Sequence, residues 1–175
     1  LFSRDIIAGG FNFESMKAVV ERTGLWSVSV NGAEVKPEDG KWWLDRSLGI
    51  FNIGNLVRTG DNTITLKTSP MKIHAEVEPI YIIGDFSVKP AEKGWFIEAP
   101  APFYTVGSWK NQGLPFYSWG VTYSKEFNIE KTEGKYEVGM TNWSGTIAEV
   151  SVNGQPATVI AFPPYQTDVS GLIKQ

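Results

Sequence analysis

Two runs of alternating apolar and polar residues in this 175-residue chain each break at Asn-Gly, and no other feature narrows the possible folds as far. Trp26, Val28 and Val30 point one way and Ser27 and Ser29 the other, up to Asn31-Gly32. Ala148, Val150 and Val152 alternate in the same way with Glu149 and Ser151, up to Asn153-Gly154. A side-chain period of two belongs to a strand with one buried face. Asn-Gly accepts positive φ at both central positions of a type I′ turn, whose twist matches that of the flanking strands. The sequence therefore predicts two β-hairpins, with turns 122 positions apart (153 − 31).

Alternation continues elsewhere. Ile64 and Leu66 alternate with Thr63, Thr65 and Lys67, and Val121 and Tyr123 with Thr122 and Ser124. Met71, Ile73, Ala75 and Val77 alternate with Lys72, His74, Glu76 and Glu78, which predicts a strand there too. Tyr136, Val138 and Met140 repeat the pattern. Gly60-Asp61-Asn62 marks a further turn before a strand. Residues 12–22 are ambiguous, with Ala18-Val19-Val20 favouring a strand. Helical periodicity is weak, and Phe51–Arg58 offers one short helical turn with Ile53, Leu56 and Val57 inward. Strands with one greasy and one polar face are the material of an all-β, antiparallel β-sandwich.

The hairpins head two longer copies of one pattern. The first runs on through Phe51-Asn52-Ile53-Gly54-Asn55-Leu56-Val57-Arg58-Thr59 and then Gly60-Asp61-Asn62. The second runs on through Thr167-Asp168-Val169-Ser170-Gly171-Leu172-Ile173-Lys174-Gln175 and stops. From the Asn-Gly turn to the Asn/Asp–hydrophobic step is 21 residues in the first copy and 15 in the second. A spacing this long suits two successive domains rather than a solenoid. The expectation is two related units, residues 1–100 and 101–175, the second truncated, in a piece of a larger protein. Residues 89–112 hold Pro90, Pro100, Pro102, Gly94 and Gly107 and read as the connection, with one short strand near Trp95-Phe96-Ile97.

Composition excludes several functions. With 42% hydrophobic and 13% aromatic residues the chain can fill a core, so disorder is not expected. A net charge of −3 without a basic face argues against nucleic-acid partners. The chain has no cysteine, hence no disulfide and no thiolate site. No stretch approaches the roughly 20 apolar residues of a membrane span.

Residues 107–127, Gly107-Ser108-Trp109 through Tyr123-Ser124-Lys125-Glu126-Phe127, have a Gly- and aromatic-rich entry into a Tyr-x-x-x-Phe strand. With the Val-Asn-Gly hairpin and the Asp-Val-Ser-x-Leu-Ile-Lys segment at 168–174, this order resembles galactose-binding-like jelly-roll domains. Such domains accompany bacterial glycoside hydrolases, including α-L-rhamnosidase-like enzymes and the β-galactosidase clan. Residues 17–67 fit the latter part of the same pattern, including Gly60, Asn62 and Ile64. The resemblance implies a non-catalytic accessory β-sandwich region, secreted or periplasmic, bracing a catalytic domain of its parent chain and contacting a polysaccharide or oligosaccharide. Two alternatives stand beside it: a purely structural interdomain module, and a glycoside hydrolase in its own right.

Sugar rings stack on flat aromatic side chains, and jelly-roll ligands sit in the end loops. Trp42, Trp43, Trp109, Tyr117, Trp119, Trp143 and Tyr165 fall in predicted loops or strand ends and are the candidate carbohydrate-binding residues. Each has packing as its competing role, and Phe162-Pro163-Pro164-Tyr165 also reads as a rigid corner. Glu76 and Glu78 share a strand face and are a nominal acid pair, but with Lys72 and His74 they read better as a solvated face. His74, the single histidine, lacks the companions a transition-metal site needs. No metal, no cofactor and no catalytic residue is predicted. Asn142-Trp143-Ser144 matches a glycosylation sequon, a pattern short enough to arise by chance.

Overall fold

A computed structural model describes residues 2–6, 12–131 and 133–174; Gln175, the last residue of the second repeat, lies outside them. The chain divides into two compact units, Leu1–Val121 and Thr122–Gln175. The first therefore extends beyond the boundary expected at residue 100.

Among the described residues the first unit holds ten strands: β1 (Phe2–Ile6), β2 (Lys17–Glu21), β3 (Ser27–Val30), β4 (Ala33–Val35), β5 (Trp42–Trp43), β6 (Asp45–Asn52), β7 (Gly60–Lys67), β8 (Tyr81–Ile83), β9 (Ser87–Pro90) and β10 (Trp95–Glu98). They form a six-stranded sheet in the order β4-β3-β7-β1-β10-β9 and a four-stranded sheet in the order β5-β6-β2-β8. Pairing is antiparallel except between β1 and β10, which run parallel, so the larger sheet is mixed rather than purely antiparallel. One core cluster joins the sheets. Val28 and Val30 on β3, Val88 on β9 and Ile97 on β10 pack with Ala18 and Val20 on β2 and Phe51 on β6, together with Met16 and Ile53. Two sheets sharing one buried layer make a sandwich. Each fully buried Val, Ile, Met or Phe contributes roughly 1.5–3 kcal/mol relative to exposure.

Local chemistry explains the elements. Asn31 and Gly32 take φ of 51° and 85°, the type I′ geometry, and close β3 onto β4 with Val30 opposite Ala33. On β2, Ala18, Val19 and Val20 are all buried, which is why the sequence there does not alternate. The Phe51–Arg58 stretch ends β6 and makes one helical turn, with the Leu56 and Val57 N–H groups donating to Ile53 O.

Two asparagines lock that turn to the sheet. Asn62, 8% exposed, accepts from the Arg58 N–H at 2.9 Å and donates to Arg58 O at 2.7 Å and Gly60 O at 2.8 Å. Asn31 donates to Asn62 Oδ1 and Leu56 O, each at 2.8 Å, and accepts from the Thr63 N–H at 3.0 Å. Sequence reasoning gives Asn62 the role of steadying its turn; it does not reveal the partnership with Asn31.

The second unit has β11 (Glu137–Gly139), β12 (Ala148–Val152), β13 (Gln155–Ile160) and β14 (Gln166–Asp168). β11 pairs with β14 and β12 with β13, all antiparallel. The registers match those of the first unit except at a β-bulge, where Val150 opposes Thr158, one residue further on than the Val28–Val35 pair of the first hairpin requires. Lys17 opposes Asn52 where Glu137 opposes Asp168, and Ala18 opposes Phe51 where Val138 opposes Thr167. Val30 opposes Ala33 where Val152 opposes Gln155. The Ile53 N–H donates to Met16 O at 3.1 Å, and the Val169 N–H to Tyr136 O at 2.9 Å. Asn153 and Gly154 repeat the turn with φ of 53° and 75°, and Asn153 donates to Leu172 O at 3.1 Å, as Asn31 does to Leu56 O. Of twelve buried hydrophobic residues among those described, only Ile160 and Val169 lie in this unit.

Two predicted strands do not form. Residues 71–77 carry no strand, and Met71, Ile73 and Val77 are exposed, Ile73 at 95%. Pro70 and Pro79 bracket this segment, and the β2 edge of the four-stranded sheet is taken by β8. Alternation without a partner strand leaves the backbone groups to water. Residues 121–124 are likewise not a strand, and Tyr123 is exposed.

Candidate functional site

A concavity lies in the first unit, between the β9–β10 hairpin and a short 3-10 helix at Trp109–Gln112. Its position depends on a close approach. Gly113 ends the helix at φ +88°, and a Cβ there would sit 2.8 Å from Ser87 Cβ and 2.9 Å from Ser87 Oγ. The Val88 N–H donates to Gly113 O at 2.9 Å, tying helix end to strand. The buried Ser87 hydroxyl accepts from the Ala101 N–H at 3.3 Å and holds the segment that leaves β10. Gln112 braces the loop before the helix, accepting from the Thr105 N–H at 2.7 Å and donating to Thr105 O at 3.0 Å.

The resulting open cleft is about 410 Å³, within the roughly 300–1,000 Å³ of small-molecule sites. Trp95 lines it, half-buried, with its ring edge-to-face on Phe116 at 5.1 Å. Lys89, Glu98, Lys110 and Asn111 also line it. Lys89 Nζ is 2.7 Å from Glu98 Oε2, so the one carboxylate lining the cleft is ion-paired. A cleft whose lining combines an indole with amide, ammonium and carboxylate groups has the chemistry to pack on an apolar ring face and hydrogen-bond its hydroxyls.

The seven aromatics singled out in the sequence are not assembled in this cleft. Trp109 is in the adjoining helix, half-buried, and packs edge-to-face on Tyr117 at 5.9 Å; the Tyr117 hydroxyl donates to Gly120 O at 2.9 Å and pins its own loop. Trp119 is 80% exposed. Trp42 is 49% exposed on the edge strand β5, while Trp43 turns inward against Tyr81 with ring centroids 5.4 Å apart. Trp143 and Tyr165 belong to the second unit and are half-buried. The Trp143 ring lies over Gly145, where a Cβ would meet it at 2.4 Å, and its indole Nε1 is buried without a hydrogen-bond partner. Trp42, Tyr117 and Trp119 are thus the exposed members, and the other four are partly covered by packing.

No protein-family model, curated protein or solved structure matches the chain. The reading of the site therefore rests on its own geometry.

A smaller hollow of about 260 Å³ is lined by Glu21, Ser47, Leu48, Glu78, Pro79 and Tyr81. It brings two carboxylates to one depression, with Glu21 3.4 Å from the Arg22 guanidinium. Glu76 and Glu78, read from the sequence as a solvated face rather than an acid pair, are both exposed, and Glu78 shares its hollow with Glu21, from β2. His74 is exposed. Among the described residues no group of three or more His, Asp or Glu side chains is placed to hold a metal ion, and no helix is long and apolar enough to cross a membrane. Trp95 was legible only as a strand residue. Its role in the cleft depends on Gly113 meeting Ser87 across 26 positions, which no local pattern announces.

Proposed function

We propose that this chain is a non-catalytic accessory β-sandwich region that contacts a glycan through the Trp95 cleft, as part of a larger exported bacterial glycoside hydrolase. The observation that carries the binding half is the cleft itself, whose lining holds one indole together with Lys89, Glu98, Lys110 and Asn111. Glycoside hydrolysis by the usual route needs two free carboxyl groups across the scissile bond. The cleft offers one, neutralised by Lys89, which favours holding a sugar over cleaving it. The attachment to an enzyme rests on the resemblance of residues 107–174 to galactose-binding-like domains. In the same reading the two units are one jelly-roll-type module used twice, a reading supported by their shared registers and shared Asn-Gly turn.

Retention on immobilised polysaccharides tests the binding. The chain should be retarded on at least one glycan of a broad panel, and Trp95→Ala should abolish the retardation while Trp143→Ala leaves it intact. No retention on any glycan removes the proposal. A second reading has one observation in its favour, the two carboxylates of the Glu21–Glu78 hollow. If that hollow is catalytic, the chain hydrolyses aryl glycosides and Glu78→Gln stops it; absence of turnover sets this reading aside.

A further inference from the structure

We infer that the glycan taken by the Trp95 cleft is acidic: it carries a uronic acid whose carboxylate is received by Lys110, with the Asn111 amide beside it. This rests on the glycan reading of the cleft and narrows it to one class of sugar.

Most polar side chains of the cleft are already committed. The Ser87 hydroxyl is buried and accepts from the Ala101 N–H. The Gln112 amide is spent on its own loop, its Oε1 accepting from the Thr105 N–H and its Nε2 donating to Thr105 O at 3.0 Å and to Ser108 O at 3.3 Å. Lys89 and Glu98 satisfy each other at 2.7 Å. Lys110 and Asn111 are left over. Both are exposed. Among the described residues Lys110 is ion-paired to no carboxylate, and the Asn111 side chain makes no hydrogen bond.

The chemistry of these two groups selects the ligand. An ammonium only donates, and an amide donates through its nitrogen and accepts through its oxygen. The uncommitted side chains are therefore rich in donors and poor in acceptors. A sugar hydroxyl donates as readily as it accepts, so a neutral sugar brings donors that this wall takes up poorly. A carboxylate only accepts, and its hydrogen bonds from a cation are stronger than neutral ones. Charge runs the same way. The lining holds two ammonium groups and one carboxylate, a local balance of one positive charge in a chain of net charge −3. Lys89 neutralises Glu98, which would otherwise repel an anionic ligand.

The placement suits a single sugar residue. Lys110 and Asn111 are consecutive on the 3-10 helix Trp109–Gln112. The Val88 N–H donating to Gly113 O ties the end of that helix to the hairpin that carries Trp95. The indole supplies an apolar surface and the helix supplies donors. A uronic acid has the matching parts in one residue, a ring with an apolar face and a carboxylate on its rim.

The test pairs uronate oligosaccharides of several epimers (glucuronate, galacturonate and mannuronate) with their methyl esters, which keep the ring and remove the charge. Binding to the whole chain is read by calorimetric titration. At least one acid is expected to bind about fivefold or more tightly than its ester, and added salt should narrow the difference. Lys110→Gln should bring the acid down to the level of the ester and leave the ester unchanged. Lys72→Gln, at an exposed lysine outside the cleft, should alter neither. Trp95→Ala should remove both. Equal binding of acid and ester, or an acid preference that survives Lys110→Gln, overturns the inference and leaves the glycan reading standing. So does tighter binding of neutral or sulfated glycans than of any uronate. Binding of no sugar at all removes this inference and the glycan reading together.

Discussion

Removing the Asn62 side chain tests how the turn is locked to the first sandwich. Asn62→Ala deletes four hydrogen bonds: two accepted, from the Arg58 N–H and the Asn31 amide, and two donated, to Arg58 O and Gly60 O. At a net ~1 kcal/mol each the ceiling is about 4 kcal/mol. Asn31 retains its bonds to Leu56 O and the Thr63 N–H, and Arg58 is exposed enough for its backbone groups to find water. The expected loss is therefore ~2–3 kcal/mol. With a urea slope of about 1.5 kcal/mol/M, the midpoint of the first unit falls by roughly 1.5–2 M. The matched control is Asn153→Ala, which removes one exposed bond of 3.1 Å and should cost at most ~1 kcal/mol in the second unit. Asn62→Asp keeps the acceptor but turns an oxygen toward two carbonyls, so it should be at least as damaging as alanine at neutral pH and milder in acid. Urea unfolding of the whole chain, followed by amide signals of each unit, resolves these. A midpoint loss below about 0.5 M for Asn62→Ala, or losses equal at the two asparagines, would refute the reasoning.

Three further outcomes are expected. Gly113→Ala combines a positive φ with a Cβ 2.8 Å from Ser87; it should destabilise the first unit by about 2 kcal/mol or more and weaken glycan retention, both readable by thermal melts and affinity chromatography. Phe51→Ala, at 1% exposure in the shared core, should cost roughly 3–5 kcal/mol, while Trp42→Ala on the exposed edge stays within about 0.5 kcal/mol; equal effects would deny the two-sheet core. Hydrogen bonds from Lys41 and Lys17 hold the Glu38 carboxyl below the ordinary glutamate value of 4.5. A depressed acid stabilises above its unfolded pKa and loses that contribution as pH falls through the folded one, so Glu38→Gln should lower stability at pH 7 and make no difference near pH 2.

The hairpins were legible in the sequence because their determinants are local. Asn31-Gly32 and Asn153-Gly154 need only their own φ values, and the flanking valines need only alternate. The helical turn with Leu56 was legible for the same reason. Met71–Val77 misled because alternation specifies a face, not a partner, and no neighbouring strand is there to accept its backbone. Residues 12–22 were ambiguous, with Ala18-Val19-Val20 favouring the strand that forms, because both faces of β2 are buried, which erases the period. The site was the least legible part. Trp43, Trp109 and Trp143 are of the right type, but each spends part of its ring on packing. Trp95 becomes part of a cleft only through contacts made by residues 87, 113 and 116, far from it in the chain.

The central claim is that one pleated module occurs twice with one pairing scheme. Cross-strand nuclear Overhauser contacts on the labelled chain test it most directly. Contacts for Ala18–Phe51 and Val30–Ala33 should recur as Val138–Thr167 and Val152–Gln155. A one-residue shift of either second-unit pair, or their absence alongside an intact first unit, would contradict it.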